Sequence, residues 1–479
     1  MSNIKFGTDG WRSIMCENFT FPNVEIVVQG ICNYLKDNNK DGQGLVIGYD
    51  TRFFSDRFAR RAAQVCAGNG INVFLTENDC PTPVTAYSIL HQGSAGALMF
   101  TASHNPPEYN GIKFIPENAA PALPEVTNQI ETWVRKVEES KEIKKVGFED
   151  GRSQGLIKFM DPTKAYMDAL KKVIDLSTIA RGNLKVIYDP LYATGRSYVP
   201  LILSDITDFT MIHPDPDPYF GGSMPEPKGE ILGELIHEVT TRGADLGLAN
   251  DGDADRFGVV DSNGVFISPN QVISLIYLHL LKNRGLVGSI ARTVATTHLV
   301  DRIAEKYDSK VIETPVGFKY IGNALLRDDV IIGGEESGGL SIEGHIPEKD
   351  GILALALITE IRSVEKKSLT ELLQEMYDEF GAYYSTRIDI HSTEEHKLSF
   401  FDKLNRGIPD NIAGMNIIRH NDIDGHKFYL EDGSWVLYRP SGTEPLVRIY
   451  MEAHSRDRLD KLAKDAEAIF MNEKIPTGA

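Results

Sequence analysis

The sequence is poor in cysteine and contains no long apolar run. The four cysteines, Cys16, Cys32, Cys66 and Cys80, show no C-x-x-C spacing, so the sequence predicts neither a zinc site nor a disulfide framework. No stretch approaches the roughly 18 apolar residues of a membrane-spanning helix, and charged residues interrupt the N-terminal region where a signal peptide needs an apolar segment. These absences predict a soluble, unexported protein of the reducing cytoplasm.

Basic residues are also in short supply. Lys and Arg number 50 against 68 Asp and Glu, which gives a formal net charge of −18. Nucleic acids and anionic membranes attract proteins through an excess of Lys and Arg, so neither is an expected partner. Any phosphate ligand must therefore meet a local pocket of positive charge.

The length of the chain indicates several domains. Its 479 residues exceed what one hydrophobic core usually organises, and an apolar share of 42% supports more than one core. Strand, turn, helix and strand patterns begin at Leu45, Leu184 and Ser289. We interpret them as three related α/β domains, although βαβ units resemble one another in any α/β protein.

The C-terminal part of the chain has a different pattern. Short strands follow Gly381, and an apolar stripe marks the closing helix, which we expect to pack in a core. Polar, charged stretches near residues 138–154 and 365–379 are the predicted seams. The predicted domains are 1–150, 151–257, 258–375 and 380–479.

An acidic loop follows an apolar strand in the stretch ANDGDADRFGVVD. Asp251, Asp253 and Asp255 would repel one another unless a cation neutralised them. An EF-hand is excluded, because Arg256 and Ser262 stand where that loop needs glycine and glutamate. Three carboxylates and one further oxygen suit a hard divalent ion such as Mg²⁺. The alternative is an Asp/Gly turn that caps a strand in solvent.

A serine ends the apolar strand in the stretch ALMFTASHNPPEYNGIKF. If Ser103 carries a phosphate, it offers the cation a fourth ligand. Acyl transfer is disfavoured, because G-x-S-x-G is absent and His104 should project away from the serine in an extended chain. A plain helix or turn cap is the alternative. The candidates to neutralise such an anionic pocket are Arg256, Lys113, His104 and Arg12.

Two further loops offer binding groups. The loop RPSGTEP places the Arg439 guanidinium beside two hydroxyls and a glycine, which is typical of an anion cradle. The loop GGEESGG offers Glu335 and Ser337 as partners for the vicinal hydroxyls of a sugar. Plain turns with exposed charges are the alternative for both loops.

Five motifs in order resemble those of the α-D-phosphohexomutase family over nearly the whole chain: FGTDGWR, TASHNPPEYNGIK, DGDADR, TPVGFK with GEESGG, and RPSGTEP. The resemblance implies four domains around a central cleft. Three are topologically similar α/β domains with mixed sheets between helices, and the fourth is a C-terminal α+β domain similar to the TATA-box-binding protein. It also implies an isomerase that interconverts hexose 1-phosphate and hexose 6-phosphate through a phosphoserine, with Mg²⁺ as cofactor and glucose 1,6-bisphosphate as intermediate and activator.

The resemblance implies roles for individual residues. Ser103 would carry the phosphoryl group and complete the Mg²⁺ shell formed by the three aspartates. Lys113 and Lys319 are candidates for general acid and base, while Arg12 and His104 would stabilise the transferring charge. A plain phosphate-binding role for these cations stays open. The implied substrate-binding set is Arg256, Glu335, Ser337, His345, Arg439, Ser441, Gly442 and Thr443.

The sugar-binding loop resembles the glucose-preferring branch of the family. Mannose and glucosamine branches tend toward methionine or glutamine after the first glutamate and histidine at the end of the loop, where this chain has Glu336 and Gly339. We expect His345 to replace that histidine. The predicted order of substrates is glucose, mannose and then glucosamine phosphate. A phosphatase and a non-catalytic sugar-phosphate sensor are the alternatives from other classes.

Overall fold

The computed structural model describes residues 4–7, 9–441 and 446–472. Over these residues the chain forms four sheets, each accompanied by helices. None of the helices in these ranges combines the length and the apolar composition that crossing a membrane would require.

The first unit is a mixed six-stranded sheet between helices. Its strands are β1 (Trp11–Ile14), β2 (Leu45–Tyr49), β3 (Val73–Thr76), β4 (Gly96–Phe100), β5 (Tyr109–Pro116) and β6 (Ile157–Met160), in the order β1-β5-β4-β2-β3-β6. Its helices are α1 (Phe21–Asp37), α2 (Ser55–Gly68), α3 (Thr82–Gln92), α4 (Pro124–Ser140) and α5 (Phe148–Ser153). Strands β2 and β4, which pair in parallel at the centre of the sheet, are almost wholly buried, because helices cover both faces of the sheet.

The second unit contains a five-stranded sheet. Its strands are β7 (Lys185–Asp189), β8 (Asp208–Met211), β9 (Leu246–Asn250), β10 (Phe257–Asp261) and β11 (Phe266–Ile267), in the order β11-β10-β9-β7-β8. Its helices are α6 (Thr163–Val173), α7 (Leu176–Gly182), α8 (Pro200–Leu203) and α9 (Gly233–Arg242).

The third unit contains a four-stranded sheet. Its strands are β12 (Ser289–Thr293), β13 (Val311–Thr314), β14 (Val330–Glu335) and β15 (Gly339–Ile342), in the order β13-β12-β14-β15. Its helices are α10 (Pro269–Lys282), α11 (Leu299–Lys306), α12 (Phe318–Leu325), α13 (Gly351–Glu365) and α14 (Leu369–Phe380). Helix α13 is apolar on nearly all sides, because it packs against β9 and β10 of the second unit and β15 of the third. One apolar core therefore runs through both units.

The three α/β sheets share one local topology. Strands β4, β9 and β14 each pair in parallel with an earlier strand and antiparallel with the strand that follows in sequence. The prediction of three related α/β domains is confirmed. In each unit the connection after this strand is a hairpin loop, so equivalent loops leave equivalent strand ends.

The fourth unit is an antiparallel sheet packed against helices. Its strands are β16 (Tyr384–His391), β17 (Asn411–Ile412), β18 (Met415–Asn421), β19 (His426–Leu430), β20 (Trp435–Pro440) and β21 (Leu446–Ala453), in the order β16-β21-β20-β19-β18-β17. Its helices are α15 (Glu394–Arg406) and α16 (Arg456–Asn472). The apolar stripe of α16 packs in the core of this unit, as predicted. The prediction of an α+β C-terminal domain is confirmed.

The strands of the first two sheets extend past the predicted domain limits. Strand β6 lies beyond residue 150 yet completes the first sheet, and β10 and β11 extend the second sheet beyond residue 257. Most of the charged stretch 365–379 is helix α14, which Ser368 and Glu371 begin with a capping box. Gly381, at φ 91°, ends that helix. The domain limits given above stay predictions.

Candidate active site

Four hairpin connections carry part of the predicted site, while Arg12, Lys113 and Glu335 lie in strands β1, β5 and β14 and Lys319 lies in helix α12. The β4–β5 connection carries Ser103, the β9–β10 connection carries the three aspartates, and the β14–β15 connection carries Ser337. Arg439 lies at the end of strand β20 and Ser441 at the start of the β20–β21 connection, whereas Gly442 and Thr443 lie outside the described residues. The sequence thus placed each loop correctly after a buried strand.

Ser103 lies against the acidic loop. Its backbone is left-handed (φ 51°), and its N–H donates to Thr101 Oγ1 at 2.8 Å. Its Oγ donates to Asp251 Oδ2 at 2.8 Å. A Cβ at Gly252 would lie 2.5 Å from the Ser103 carbonyl oxygen, so glycine permits this close approach of the two loops.

The side chain of His104 lies closer to Ser103 than the sequence predicted. We expected its side chain to project away from Ser103, but its Nδ1 lies 3.3 Å from Ser103 Oγ. The expectation was wrong because Ser103 is left-handed rather than extended, which turns neighbouring side chains to the same side. Burial, and then the charges of Arg256 and Arg12, lower the pKa of His104 well below its usual value. The imidazole is therefore neutral at pH 7.

The aspartate triad has the properties of a cation site. Oxygens of Asp251, Asp253 and Asp255 lie within 4.8 Å of one another, and all three side chains are buried. The Oδ1 atoms of Asp253 and Asp255 are buried without a hydrogen-bond partner. Burial, and then repulsion from the other two carboxylates, raise the pKa of Asp251 well above its usual value. Orphaned carboxylate oxygens in a site of excess negative charge fit a divalent cation with oxygen ligands.

Lys113 partly compensates the triad. Its Nζ lies 2.9 Å from Asp253 Oδ2, 2.9 Å from Asp255 Oδ2 and 3.0 Å from Asp9 Oδ2. Burial alone would lower the pKa of Lys113, but these carboxylates raise it well above its usual value. Lys113 therefore stays protonated and holds the Oδ2 side of the loop. Asp9 was not predicted.

A second buried lysine, Lys349, joins this cluster and was also not predicted. Its Nζ lies 3.4 Å from Asp255 Oδ2, 3.5 Å from Asp9 Oδ2 and 3.0 Å from Glu348 Oε1. Burial raises the pKa of Glu348 to about 7, although Lys349 opposes the shift. The sequence held one indication of its position: in the stretch EKDG, Lys349 directly precedes Asp350, which caps helix α13.

Lys349, rather than His345, lies over the end of the sugar-binding loop. A Cβ at Gly339 would lie 2.7 Å from the Cδ atom of Lys349, so the glycine makes room for the lysine chain. His345 Nε2 hydrogen-bonds Asp350 Oδ2 at 2.7 Å, and the same carboxylate oxygen accepts a hydrogen bond from Tyr166. The part of His345 in sugar binding stays a prediction, and Asp350 fixes the orientation of its ring.

The predicted sugar-binding loop is ordered by hydrogen bonds. Ser337 Oγ donates to Glu335 Oε1 at 2.6 Å, while Glu336 Oε2 accepts from Thr293 Oγ1 at 2.8 Å. Burial, and then the charge of Glu336, raise the pKa of Glu335 to about 7. Glu335 and Ser337 are thus paired, whereas Glu336 is bound to its own sheet.

The predicted C-terminal phosphate loop is docked on the third unit. Arg439 Nε donates to Asp424 Oδ2 at 2.8 Å, and the same oxygen accepts the N–H of Val316 at 2.9 Å. Val316 belongs to the stretch TPVGFK, whose last residue, Lys319, lies in the first turn of helix α12. Burial lowers the pKa of Lys319, and no carboxylate among the described residues forms an ion pair with it. Ser441 contributes its carbonyl oxygen to Lys397.

Two arginines border the serine and metal loops. Arg12 donates to Asn105 Oδ1 at 2.8 Å, within the serine loop. Arg256 donates its backbone N–H to Asp251 Oδ1 at 3.0 Å, and its side-chain Nε is buried without a hydrogen-bond partner. Its guanidinium lies 3.7 Å from Glu226. The charges of both arginines act on His104, beside Ser103.

Comparison with known proteins agrees with this architecture. Models of the phosphoglucomutase/phosphomannomutase domains match the chain in order: α/β/α domain I over residues 3–141, domain II over 164–264, domain III over 268–380 and the C-terminal domain over 403–469.

Individual relatives match over nearly their whole length. The chain is 31% identical to a "phosphoglucomutase/phosphomannomutase" of Thermococcus kodakarensis over 95% of each sequence. It is 32% identical to a "probable phosphoglucosamine mutase" of Pyrococcus abyssi over 97% of each. The crystal structure of a "putative phosphomannomutase" from Thermus thermophilus superposes with a TM-score of 0.86 at 32% identity, covering 98% of this chain and 100% of that one.

Proposed function

The chain belongs to the phosphoglucomutase/phosphomannomutase family and is a phosphohexomutase, and from that premise we propose that it interconverts glucose 1-phosphate and glucose 6-phosphate with Ser103 as the phosphoryl carrier. The observation that carries the proposal is the 2.8 Å contact between Ser103 Oγ and the buried aspartate triad. A serine placed against a cation site can exchange a phosphoryl group with a sugar hydroxyl.

In the proposed first half-reaction, the bond between phosphorus and Ser103 Oγ breaks as a bond forms from phosphorus to the free hydroxyl of a hexose monophosphate. The sugar hydroxyl loses its proton to a base, and the departing Ser103 oxygen takes a proton. The neutral His104 ring, with Nδ1 3.3 Å from Ser103 Oγ, is placed to hydrogen-bond that oxygen, while the proton comes from solvent. The 1,6-bisphosphate then turns over and returns its other phosphate to Ser103.

The two candidate lysines differ in their surroundings, and this divides their roles. Lys113 contacts three carboxylates and stays protonated, which suits charge stabilisation rather than proton abstraction. Lys319 is half-buried, and burial lowers its pKa toward the operating range of a general base. We assign the base to Lys319 and charge stabilisation to Lys113 and Arg12.

Mg²⁺ would be held by Asp251, Asp253 and Asp255 together with an oxygen on Ser103. The orphaned Oδ1 atoms of Asp253 and Asp255 support this assignment, since Lys113 takes only their Oδ2 atoms. When bound, the cation supplies charge neutralisation for the phosphoryl oxygens.

The opposite end of the substrate would bind the third and fourth units. Glu335 and Ser337 would hold sugar hydroxyls, and Arg439 and Ser441 would hold the phosphate that is not transferred. The reorientation of the bisphosphate requires room, so we propose that the C-terminal unit opens at Gly381. Hydrogen exchange near residues 370–382 should change when bisphosphate binds, and an unchanged pattern would contradict this gating.

Glucose is proposed ahead of mannose and glucosamine because Glu336 and Gly339 stand in the sugar-binding loop. Lys349 packs over Gly339 and reaches Asp255, so it offers the sugar a cation where other branches have a histidine. Dual activity on mannose phosphate and activity on glucosamine phosphate are the second and third candidates.

The test begins with the mass of the intact protein. One phosphate is expected on Ser103 after incubation with glucose 1,6-bisphosphate, and none on Ser103→Ala, which should bind substrate but not turn it over. Coupled assays with each hexose 1-phosphate and Mg²⁺ rank the sugars. Phosphate release in excess of isomer formation would indicate a phosphatase, and retained biological function in Ser103→Ala would indicate a sensor.

A further inference from the structure

Arg52 is fully buried beneath the serine loop and lies outside all five motifs. Its Nη2 donates to the carbonyl oxygens of Ser103 and Asn105 at 2.7 and 2.6 Å. Its Nη1 donates to those of Pro106 and Tyr109 at 2.8 and 3.0 Å. One guanidinium thus gathers four carbonyl groups of the segment that presents Ser103.

The arginine is itself held from both sides. In its own turn, its backbone N–H donates to Asp50 Oδ1 at 2.9 Å, and its Nε lies 3.3 Å from Asp50 Oδ2. From the second unit, the ring of Phe220 covers the guanidinium, with Cζ 4.9 Å from the ring centroid. Phe220 is buried although its own backbone is left-handed (φ 51°).

The turn that carries Phe220 is built to hold it. Asp217 accepts the Phe220 N–H with its carbonyl oxygen, and its carboxylate accepts the N–H groups of Tyr219 and Gly221. A Cβ at Gly221 would lie 2.6 Å from the Tyr192 ring, so the turn lies close against its own unit. The contact of Phe220 with Arg52 therefore joins the unit that carries the aspartate triad to the underside of the serine loop.

We propose that Arg52, covered by Phe220, is the positioning residue that sets the phosphoryl-transfer geometry of Ser103. The inference rests on the proposed role of Ser103. The left-handed conformation of Ser103 is unfavourable for a residue with a side chain and persists only when its surroundings impose it. Four hydrogen bonds from a rigid, charged fork impose it, and they direct Oγ to Asp251.

Lysine cannot replace this arginine. Its single ammonium offers three donors from one point, whereas the planar guanidinium spans carbonyl groups on two sides. Arg52→Lys keeps the charge and loses the fork. Since a displacement of about 1 Å can cost about 100-fold in rate, kcat should fall by about 100-fold. KM should change by less than about 3-fold, because the sugar and the distal phosphate bind other units.

The experiment compares Arg52→Lys with Arg57→Lys, an exposed arginine of α2 that also lies over an aromatic ring. Steady-state kcat and KM, and the single-turnover rate of phosphoryl transfer from glucose 1,6-bisphosphate to Ser103, are measured on the full chain with Mg²⁺. A large fall in both rates for Arg52→Lys, with KM and Arg57→Lys unchanged, supports the proposal. A kcat within about 3-fold of the parent, even with a lowered melting temperature, overturns it.

Phe220→Leu keeps the test decisive if Arg52→Lys does not fold. It removes the aromatic face and leaves the arginine in place, so a fall in kcat of about 10-fold at constant KM is expected. A parental kcat in Phe220→Leu overturns the part assigned to the second unit. Failure of the proposed function is distinguishable, because the parent protein would then take up no phosphate on Ser103.

Discussion

Lys113→Met tests how the protein tolerates a cluster of buried carboxylates. Lys113 is 2% exposed and forms ion pairs at 2.9–3.0 Å with Asp9, Asp253 and Asp255. Removing one partner of a buried ion pair leaves uncompensated charge and costs about 3–5 kcal/mol. For a unit of this size, that loss lowers the midpoint of its thermal transition by roughly 6–20 °C. Methionine keeps the length and apolar character of the side chain, so the effect reports the charge.

Scanning calorimetry at pH 7.5, with EDTA and then with Mg²⁺, measures the shift for the first unit. The matched control is Lys145→Met, whose ammonium also lies 2.9 Å from a carboxylate but is 51% exposed. Exposed ion pairs contribute at most about 1 kcal/mol to stability, so the melting temperature of the control variant should change little. Saturating Mg²⁺ should stabilise Lys113→Met at least as much as it stabilises the parent, because the cation supplies the missing charge. At a Mg²⁺ concentration one hundred times its Kd, the free energy of unfolding should rise by about 2.7 kcal/mol. The reasoning is refuted if Lys113→Met melts with the parent in EDTA, or if Mg²⁺ stabilises the parent but not the variant.

Three further changes test the other loops. Burial raises the pKa of Glu335 to about 7 from its ordinary 4.5, so the stability gained from its protonation is complete below pH 4.5 and is lost as the pH rises to 7. Glu335→Gln should therefore make the melting temperature less dependent on pH over this range. An unchanged dependence would contradict the burial argument. Asp424→Asn removes the anion that is paired with Arg439, so the arginine should bind phosphate better and inorganic phosphate should inhibit about 5-fold more strongly. Weaker inhibition would show that Asp424 serves instead to orient the arginine. Gly252→Ala should separate the serine loop from the aspartate loop and lower kcat by about 100-fold. Gly42→Ala, where an added Cβ would meet no atom within 4 Å, should retain parental activity. Equal rates for the two variants would refute the close-packing argument.

The sequence predicted the parts of the site that depend on local order. A buried strand followed by a polar turn is a local pattern, and LVIGYD, DLGLA and WVLYRP all proved to contain strands of the sheets. The aspartate triad could be recognised because its members are alternate residues of one loop, and the structure keeps them within 4.8 Å. The repetition of the α/β units was visible for the same reason, since each unit repeats one short-range order of strand, turn and helix.

The residues that sequence reasoning missed act over long separations. Asp9, Lys349 and Arg52 belong to different segments of the chain. Their spacing does not indicate that the first two form an ion pair or that the third lies beneath Ser103. His104 was misjudged because one left-handed residue reverses the direction of the next side chain.

By itself, the sequence determined which strands form, which loops follow them and which chemical groups those loops carry, because these depend on neighbours along the chain. Only the tertiary structure decided which charges compensate one another. Ser103 and Asp251 are 148 positions apart, and burial makes their partners obligatory only after the units have packed together.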